Sequence, residues 1–174
     1  YNALWACEAL GSTRSFTGKP VDMGGTDYDK EGIAGLGVAV AGKVMLTYHG
    51  VGVSAASFAV QGLGAMGAAV TRYFSEFGGN LKVLSDPKYK GAWRFHDTAS
   101  PEMIAALTTQ DFEAVNALLP KEATHLGEDC FEALYQDVDV VFPCAMEDAI
   151  TAENAPKIQA RFVCEGANNP TTEE

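Results

Sequence analysis

The sequence predicts an α/β protein, a doubly wound domain with a mostly parallel sheet, and three observations carry that expectation. Short apolar runs alternate along the chain with segments of helical periodicity. One of these runs passes directly into a glycine-rich turn that opens an amphipathic segment. Glycine itself is abundant, 18 of 174 residues, and it gathers at segment boundaries instead of spreading. The length matches one domain, since domains run to ~100–200 residues.

In chain order, residues 1–31 read as irregular, broken by Gly11, Gly18-Lys19-Pro20 and Gly24-Gly25. Asp27, Asp29 and Glu31 favour the positive end of a following helix. That helix is expected over residues 33–48, where Ile33, Leu36, Val40, Val44 and Tyr48 step by three or four and form one apolar face. Gly35, Gly37 and Gly42 weaken it but let a neighbour pack closely. Residues 1–48 thus form an opening loop and helix ahead of a βαβ core over residues 57–172.

The core starts with Ser57-Phe58-Ala59-Val60-Gln61, a short buried strand, followed at once by Gly62-Leu63-Gly64-Ala65-Met66-Gly67. Met66, Ala69, Val70, Tyr73, Phe74 and Phe77 mark an amphipathic helix that Gly78-Gly79 stops. Residues 81–86 read as a second strand ending in Asp86, and Trp93-Arg94-Phe95 as a short one. Ser100-Pro101-Glu102 looks like a helix cap with proline at the first helical position. Helices are expected at 111–119, stopping before Pro120, at 129–135, and at 151–160. Strands are expected at 138–142 and 161–166. No repeat or linker divides the chain.

Composition removes several classes. Against 12 Lys and Arg stand 23 Asp and Glu, a net charge of −11, which repels nucleic-acid phosphates and anionic membrane surfaces. No apolar run approaches the ~18–20 residues of a membrane span. The chain opens Tyr1-Asn2-Ala3, with neither Met nor a basic leader, so a processed chain or a piece of a longer one is expected. Cys7, Cys130, Cys144 and Cys164 lie far apart with no CxxC pair, as befits buried thiols in a reducing, cytoplasmic compartment. His49, His96 and His125 stand alone, so no metal site and no catalytic histidine is assigned.

The chemistry rests on Gly62-x-Gly64-x-x-Gly67. Alone the spacing is weak; here it follows a strand, opens a helix, and is followed by an acid at the next strand's end, Asp86, 24 residues after Gly62. Gly62 permits the tight turn, Gly64 lets backbone approach a pyrophosphate, and Gly67 lets helix and strand pack closely. The helix N-terminus at Ala65 and Met66 offers N–H groups and partial positive charge to that pyrophosphate. Gly62, Leu63, Gly64, Ala65, Met66, Gly67 and Asp86 are therefore candidate cofactor-binding residues. Asp86 would accept hydrogen bonds from the adenine-ribose hydroxyls and repel a 2′-phosphate, which favours NAD over NADP. Lys88, two residues on, pulls against that preference.

Further segments point the same way: Thr17-Gly18-Lys19-Pro20, Gly24-Gly25-Thr26, Phe58-Ala59-Val60-Gln61-Gly62-Leu63-Gly64 and Val140-Val141-Phe142-Pro143-Cys144-Ala145. After them come Ile150-Thr151-Ala152-Glu153-Asn154-Ala155 and Glu165-Gly166-Ala167-Asn168-Asn169-Pro170-Thr171-Thr172. With these pieces, in this order, the chain resembles the Rossmann-type cofactor domain of the glutamate/leucine/phenylalanine/valine dehydrogenase family, most of all glutamate dehydrogenases. The resemblance implies that Cys144, Ala145 and Asn168 lie beside the nicotinamide and its ribose. It implies oxidative deamination of an L-amino acid to a 2-oxo acid and ammonia, in a homo-oligomeric parent. The family's catalytic Lys and Asp belong to a substrate domain outside this chain, so no catalytic residue is assigned here. Two positions depart from the family pattern: its Thr and Arg after the paired glycines correspond to Ala34 and Leu36. Those departures suit an alternative, a non-catalytic NAD-binding or regulatory module derived from the same family.

Overall fold

A computed structural model describes residues 2–14 and 19–173; Thr17 and Gly18 of the first family segment lie outside the described residues. The helices are α1 (Asn2–Leu10), α2 (Tyr28–Glu31), α3 (Ile33–Tyr48), α4 (Ala65–Glu76), α5 (Pro101–Thr109) and α6 (Phe112–Glu122). The strands are β1 (Ser57–Gln61), β2 (Asn80–Asp86), β3 (Gly91–Phe95), β4 (Ala123–Gly127), β5 (Val140–Pro143) and β6 (Phe162–Val163). They form one sheet in the order β4-β3-β2-β1-β5-β6. β1 runs parallel to β2 and β5, β5 runs parallel to β6, and β3 is antiparallel to both of its neighbours. The sheet is thus mixed α/β and mostly parallel, as the sequence predicts.

Strand β1 is apolar because both its faces are covered. Phe58 and Val60 point to one side, into a core they share with Ala39 and Leu46 of α3, Val70 and Phe74 of α4, Met103 and Leu107 of α5, and Val115 and Leu119 of α6. Phe58, Phe74 and Phe142 interlock edge to face, with centroid separations of 5.0, 5.0 and 5.9 Å. Ala59 points the other way, with Val83 and Val141, toward Ala133, Leu134, Ala149 and Ile150. The layers are unequal. Four α-helices pack on the first face, whereas the second is covered chiefly by the two-turn 3-10 segment Cys130–Tyr135 and by irregular chain that includes Ala149, Ile150, Ile158 and Ala160.

Several local expectations change. Residues 1–31 are not all irregular: Asn2-Ala3-Leu4-Trp5-Ala6-Cys7-Glu8-Ala9-Leu10 is rich in Ala and Leu and forms α1, closed by Gly11 at φ +62°. Helix α6 carries Pro120 in its last turn and continues to Glu122, since one forgone ladder bond near a helix end is tolerable. The segment 123–127, unassigned from sequence, forms β4 and pairs with β3, where Trp93 and His125 rings lie 4.6 Å apart. The helix expected at 151–160 is reduced to one 3-10 turn. Pro156 lacks the N–H the helix needs, and Asn154 binds the backbone instead, accepting from Thr151 N at 2.8 Å and donating to Ala149 O at 2.9 Å.

Helix α3 spans the residues the periodicity predicts but is turned about its axis. Its small residues Gly35, Ala39 and Gly42, with Leu46, are buried, and a Cβ on Gly35 would stand 2.4 Å from the Ala69 Cβ of α4. Close helix–helix approach requires that glycine. The expected apolar face lies opposite and points outward.

Candidate cofactor-binding site

The site is assembled where the chain order reverses. β1 is flanked by β2 on one side and β5 on the other, and both pairs end together: Gln61 lies opposite Ser85 and opposite Pro143. In open α/β sheets ligands bind outside the strand C-termini at such a switch point.

The three motif glycines have three different surroundings. Gly62 is at φ +85°, and a Cβ there would lie 2.7 Å from the Ala145 Cα. Gly67 sits in the first turn of α4, where a Cβ would come 1.8 Å from the Gly62 carbonyl oxygen. Gly64 is exposed, at φ −71°, and a Cβ there would meet nothing within 4 Å. The first two are glycines for the sake of packing. The third borders open space, at the end of a helix that no side chain caps. First-turn N–H groups of α4 are thus left for an outside acceptor, with the helix dipole behind them.

Asp86, 6% exposed, lies beneath this turn. Its Oδ2 accepts from Leu63 N at 2.7 Å and its Oδ1 from Lys88 N at 2.9 Å. The acid therefore ties the glycine turn to the end of β2. A carboxylate has about four acceptor positions, so each oxygen keeps one for a further donor. Leu63 is buried, Ala65 is exposed and Met66 half-buried.

The second half of the site comes from the ends of β5 and β6. Cys144 N donates to Gln61 O at 2.8 Å, which fixes the β5 end against the turn. Gly166 N and Ala167 N both donate to Pro143 O, each at 3.0 Å, and so moor the stretch that leads to Asn168. Ala145 abuts Gly62, and Asn168 is exposed two residues beyond Gly166. A Cβ on Gly166 would lie 2.6 Å from the Cys144 Sγ and 3.3 Å from the Met66 Cγ. The structure thereby brings Gly62–Gly67, Asp86, Cys144, Ala145 and the Asn168 loop to one edge of the sheet. Gly166 is a residue given no role from sequence, named there only within a family segment, and its signal is indirect, a glycine at the end of an expected strand. Gln61 is another: it is 1% exposed and its side-chain oxygen has no hydrogen-bond partner. A polar residue closing an apolar strand just before the turn is the visible mark of that position.

Burial pushes the Cys144 thiol up to about 12 from its ordinary 9.0, with Cys164 adding a smaller push, so it is a neutral packing group. Because the folded-state value is the higher one, its stabilising contribution is complete below pH 9 and disappears as pH climbs toward 12. Thermal melts between pH 8 and 11 are expected to show a steeper alkaline fall for the parent chain than for Cys144→Ala; parallel curves would refute this assignment.

Fold and site define a Rossmann-type α/β domain. The chain belongs to the Glutamate/Leucine/Phenylalanine/Valine dehydrogenase family, whose model matches residues 24–174. It is 33% identical over 175 residues to a NAD-specific glutamate dehydrogenase of Clostridioides difficile, covering 100% of this chain and 40% of that protein. It is 34% identical over 156 residues to glutamate dehydrogenase B of Halobacterium salinarum, covering 90% of this chain and 34% of that one. Among solved structures, Plasmodium falciparum glutamate dehydrogenase superposes with a TM-score of 0.77 at 21% identity, over 96% of this chain and 37% of that chain, a likeness of fold. The chain spans well under half the length of these relatives.

Proposed function

We propose that residues 1–174 are the dinucleotide-binding domain of an amino-acid dehydrogenase, most like glutamate dehydrogenase, with NAD preferred to NADP. The observation that carries this reading is the uncapped N-terminus of α4 behind an open Gly64, set at the β1/β5 switch point. The residues present fit the group. Gly64, Ala65 and Met66 would hold the pyrophosphate through backbone N–H groups, Asp86 would accept from the adenine ribose, and Cys144, Ala145 and Asn168 would border the nicotinamide half. When bound, the nicotinamide supplies the hydride acceptor for oxidation of an L-amino acid, and water then releases a 2-oxo acid and ammonia. This chain binds and orients; a lysine and a carboxylate in a substrate domain of the parent carry the proton transfers. The parent is proposed to be a cytoplasmic homo-oligomer.

Calorimetric titration of the chain tests the reading. Saturable NAD binding tighter than NADP is expected, with negligible turnover by these residues alone. Failure to bind either dinucleotide would sink it. Asp86→Ser should weaken NAD about 10–100-fold, the worth of one or two hydrogen bonds to a charged acceptor, while relaxing discrimination against NADP. Unchanged selectivity would remove Asp86 from the ribose. Ala34 and Leu36, in place of the family's Thr and Arg, favour a second reading, a non-catalytic dinucleotide-binding module. It separates from the first by one outcome: a full-length gene product that binds NAD without turning over any amino acid.

A further inference from the structure

Helix α3 has two apolar faces and only one of them is used. The inner face, Gly35, Ala39, Gly42 and Leu46, is buried against α4 and the sheet. The outer face carries Ile33, Val40, Val44 and Tyr48, which are 38, 42, 61 and 85% exposed. Gly37 falls in the same row, exposed, with nothing within 4 Å of a Cβ placed there. The row 33-37-40-44-48 has the three-and-four spacing of a helix seam. Across all 16 residues the helix has one charge, Lys43. A helix apolar all round is a buried helix.

We infer that the outer face of α3 is the seat of a helix from the part of the parent polypeptide that lies outside residues 1–174, with Gly37 at the point of closest approach. The inference rests on the reading of these residues as one domain of a longer dehydrogenase. Three observations favour this occupant. The relatives are long enough to supply it, since the chain spans 40% of one and 34% of the other. A second copy is disfavoured, because each copy carries a net charge of −11 and the face has no countercharge beyond Lys43. The same helix already shows the geometry: on the inner face Gly35 brings the α4 backbone so near that a Cβ would stand 2.8 Å from Val70 N. Gly37 repeats that device on the face where nothing yet approaches. In the middle of an exposed helix a glycine is otherwise a net loss against alanine.

Gly37→Ala gives the test, because its effect should change sign with context. In the 174-residue chain the substitution is expected to raise Tm by about 2–4 °C, as a helix-favouring change in open space. In the full-length polypeptide encoded by the gene it should lower Tm by at least as much, since the new methyl meets the docked helix. Val44→Asp should leave the 174-residue chain within about 2 °C of the parent and lower Tm of the full-length polypeptide by more than about 5 °C. A rise with Gly37→Ala in both contexts overturns the inference, as does indifference of the full-length polypeptide to Val44→Asp. Sedimentation showing that the 174-residue chain dimerises, and that Val44→Asp dissociates it, would assign the face to a second copy and overturn it too. These readouts are stabilities, whereas the function is read by NAD titration of the unsubstituted chain. Sign reversal without NAD binding would therefore sink the functional reading and leave the docking face standing.

Discussion

Gly67→Ala is expected to cost the fold several kcal/mol, while Gly64→Ala, three residues earlier in the same motif, should spare the fold and damage binding. The difference follows from what each Cβ would meet. At Gly67 it would sit 1.8 Å from the Gly62 carbonyl oxygen, a main-chain atom with no side-chain freedom to yield. Overpacking of this kind costs about 1–3 kcal/mol where side chains can move, and more where backbone must. A loss of about 3 kcal/mol or more, or a fall in Tm of roughly 6–12 °C, is therefore the expected result. Gly62→Ala belongs with it, because the residue is at φ +85° and faces the Ala145 backbone. Gly64 has ordinary φ and open space, so its alanine variant should melt within about 2 °C of the parent. If dinucleotide lies over that position, the added methyl holds the pyrophosphate away from the α4 N–H groups, and affinity should fall about tenfold or more. Calorimetry and thermal melts on both variants decide the matter. A stable Gly67→Ala protein, or a Gly64→Ala protein with unchanged NAD affinity, would contradict the division of labour.

Phe142→Ala should destabilise the domain by about 3–5 kcal/mol, lowering Tm by roughly 6–20 °C. The ring is fully buried, joins Phe58 and Phe74 in edge-to-face contact, and sits beneath the β5 end that carries Cys144 and Ala145. Its neighbour Gly42 supplies the control. A Cβ on Gly42 would lie 3.1 Å from the Phe142 Cζ and 3.2 Å from the Phe74 Cε2, a tight fit in the parent. Once Phe142 is reduced to alanine, that methyl enters the space left behind. Gly42→Ala should therefore be less harmful, or helpful, in the Phe142→Ala background, with a coupling of about 1 kcal/mol in a double-mutant cycle. Additive effects would show that the two positions do not share a cavity.

What was legible in the sequence was the part governed by local rules. The run from Ser57 to Gly67 has a strand's apolar character, a turn's glycines and a helix's periodicity in immediate succession, and each survives in the fold. Ser100 likewise caps α5 as its type demands, its Oγ accepting from Met103 N at 3.1 Å. What was not legible depended on partners distant in sequence. β4 is a strand because β3 lies beside it, and its exposed Thr124 and His125 give no apolar pattern to read. The rotation of α3 was hidden for the opposite reason: periodicity shows that a face exists but not which of two apolar faces meets the sheet. At the site, Asp86 was found from its place at a strand end, yet its hydrogen bond to Leu63 N joins residues 23 apart and belongs to the tertiary structure alone.

The Pro143 carbonyl, which receives both Gly166 N and Ala167 N, places the ends of β5 and β6 with respect to each other using only main-chain atoms. The two bonds themselves use no side-chain atom, so a substitution at Ala145 or Asn168, or at Ala167 by anything but proline, leaves both donors in place. The frame of this edge is thus held by the main chain, apart from the side chains that give it its chemistry. Substitutions there are expected to alter what it prefers and leave its shape in place.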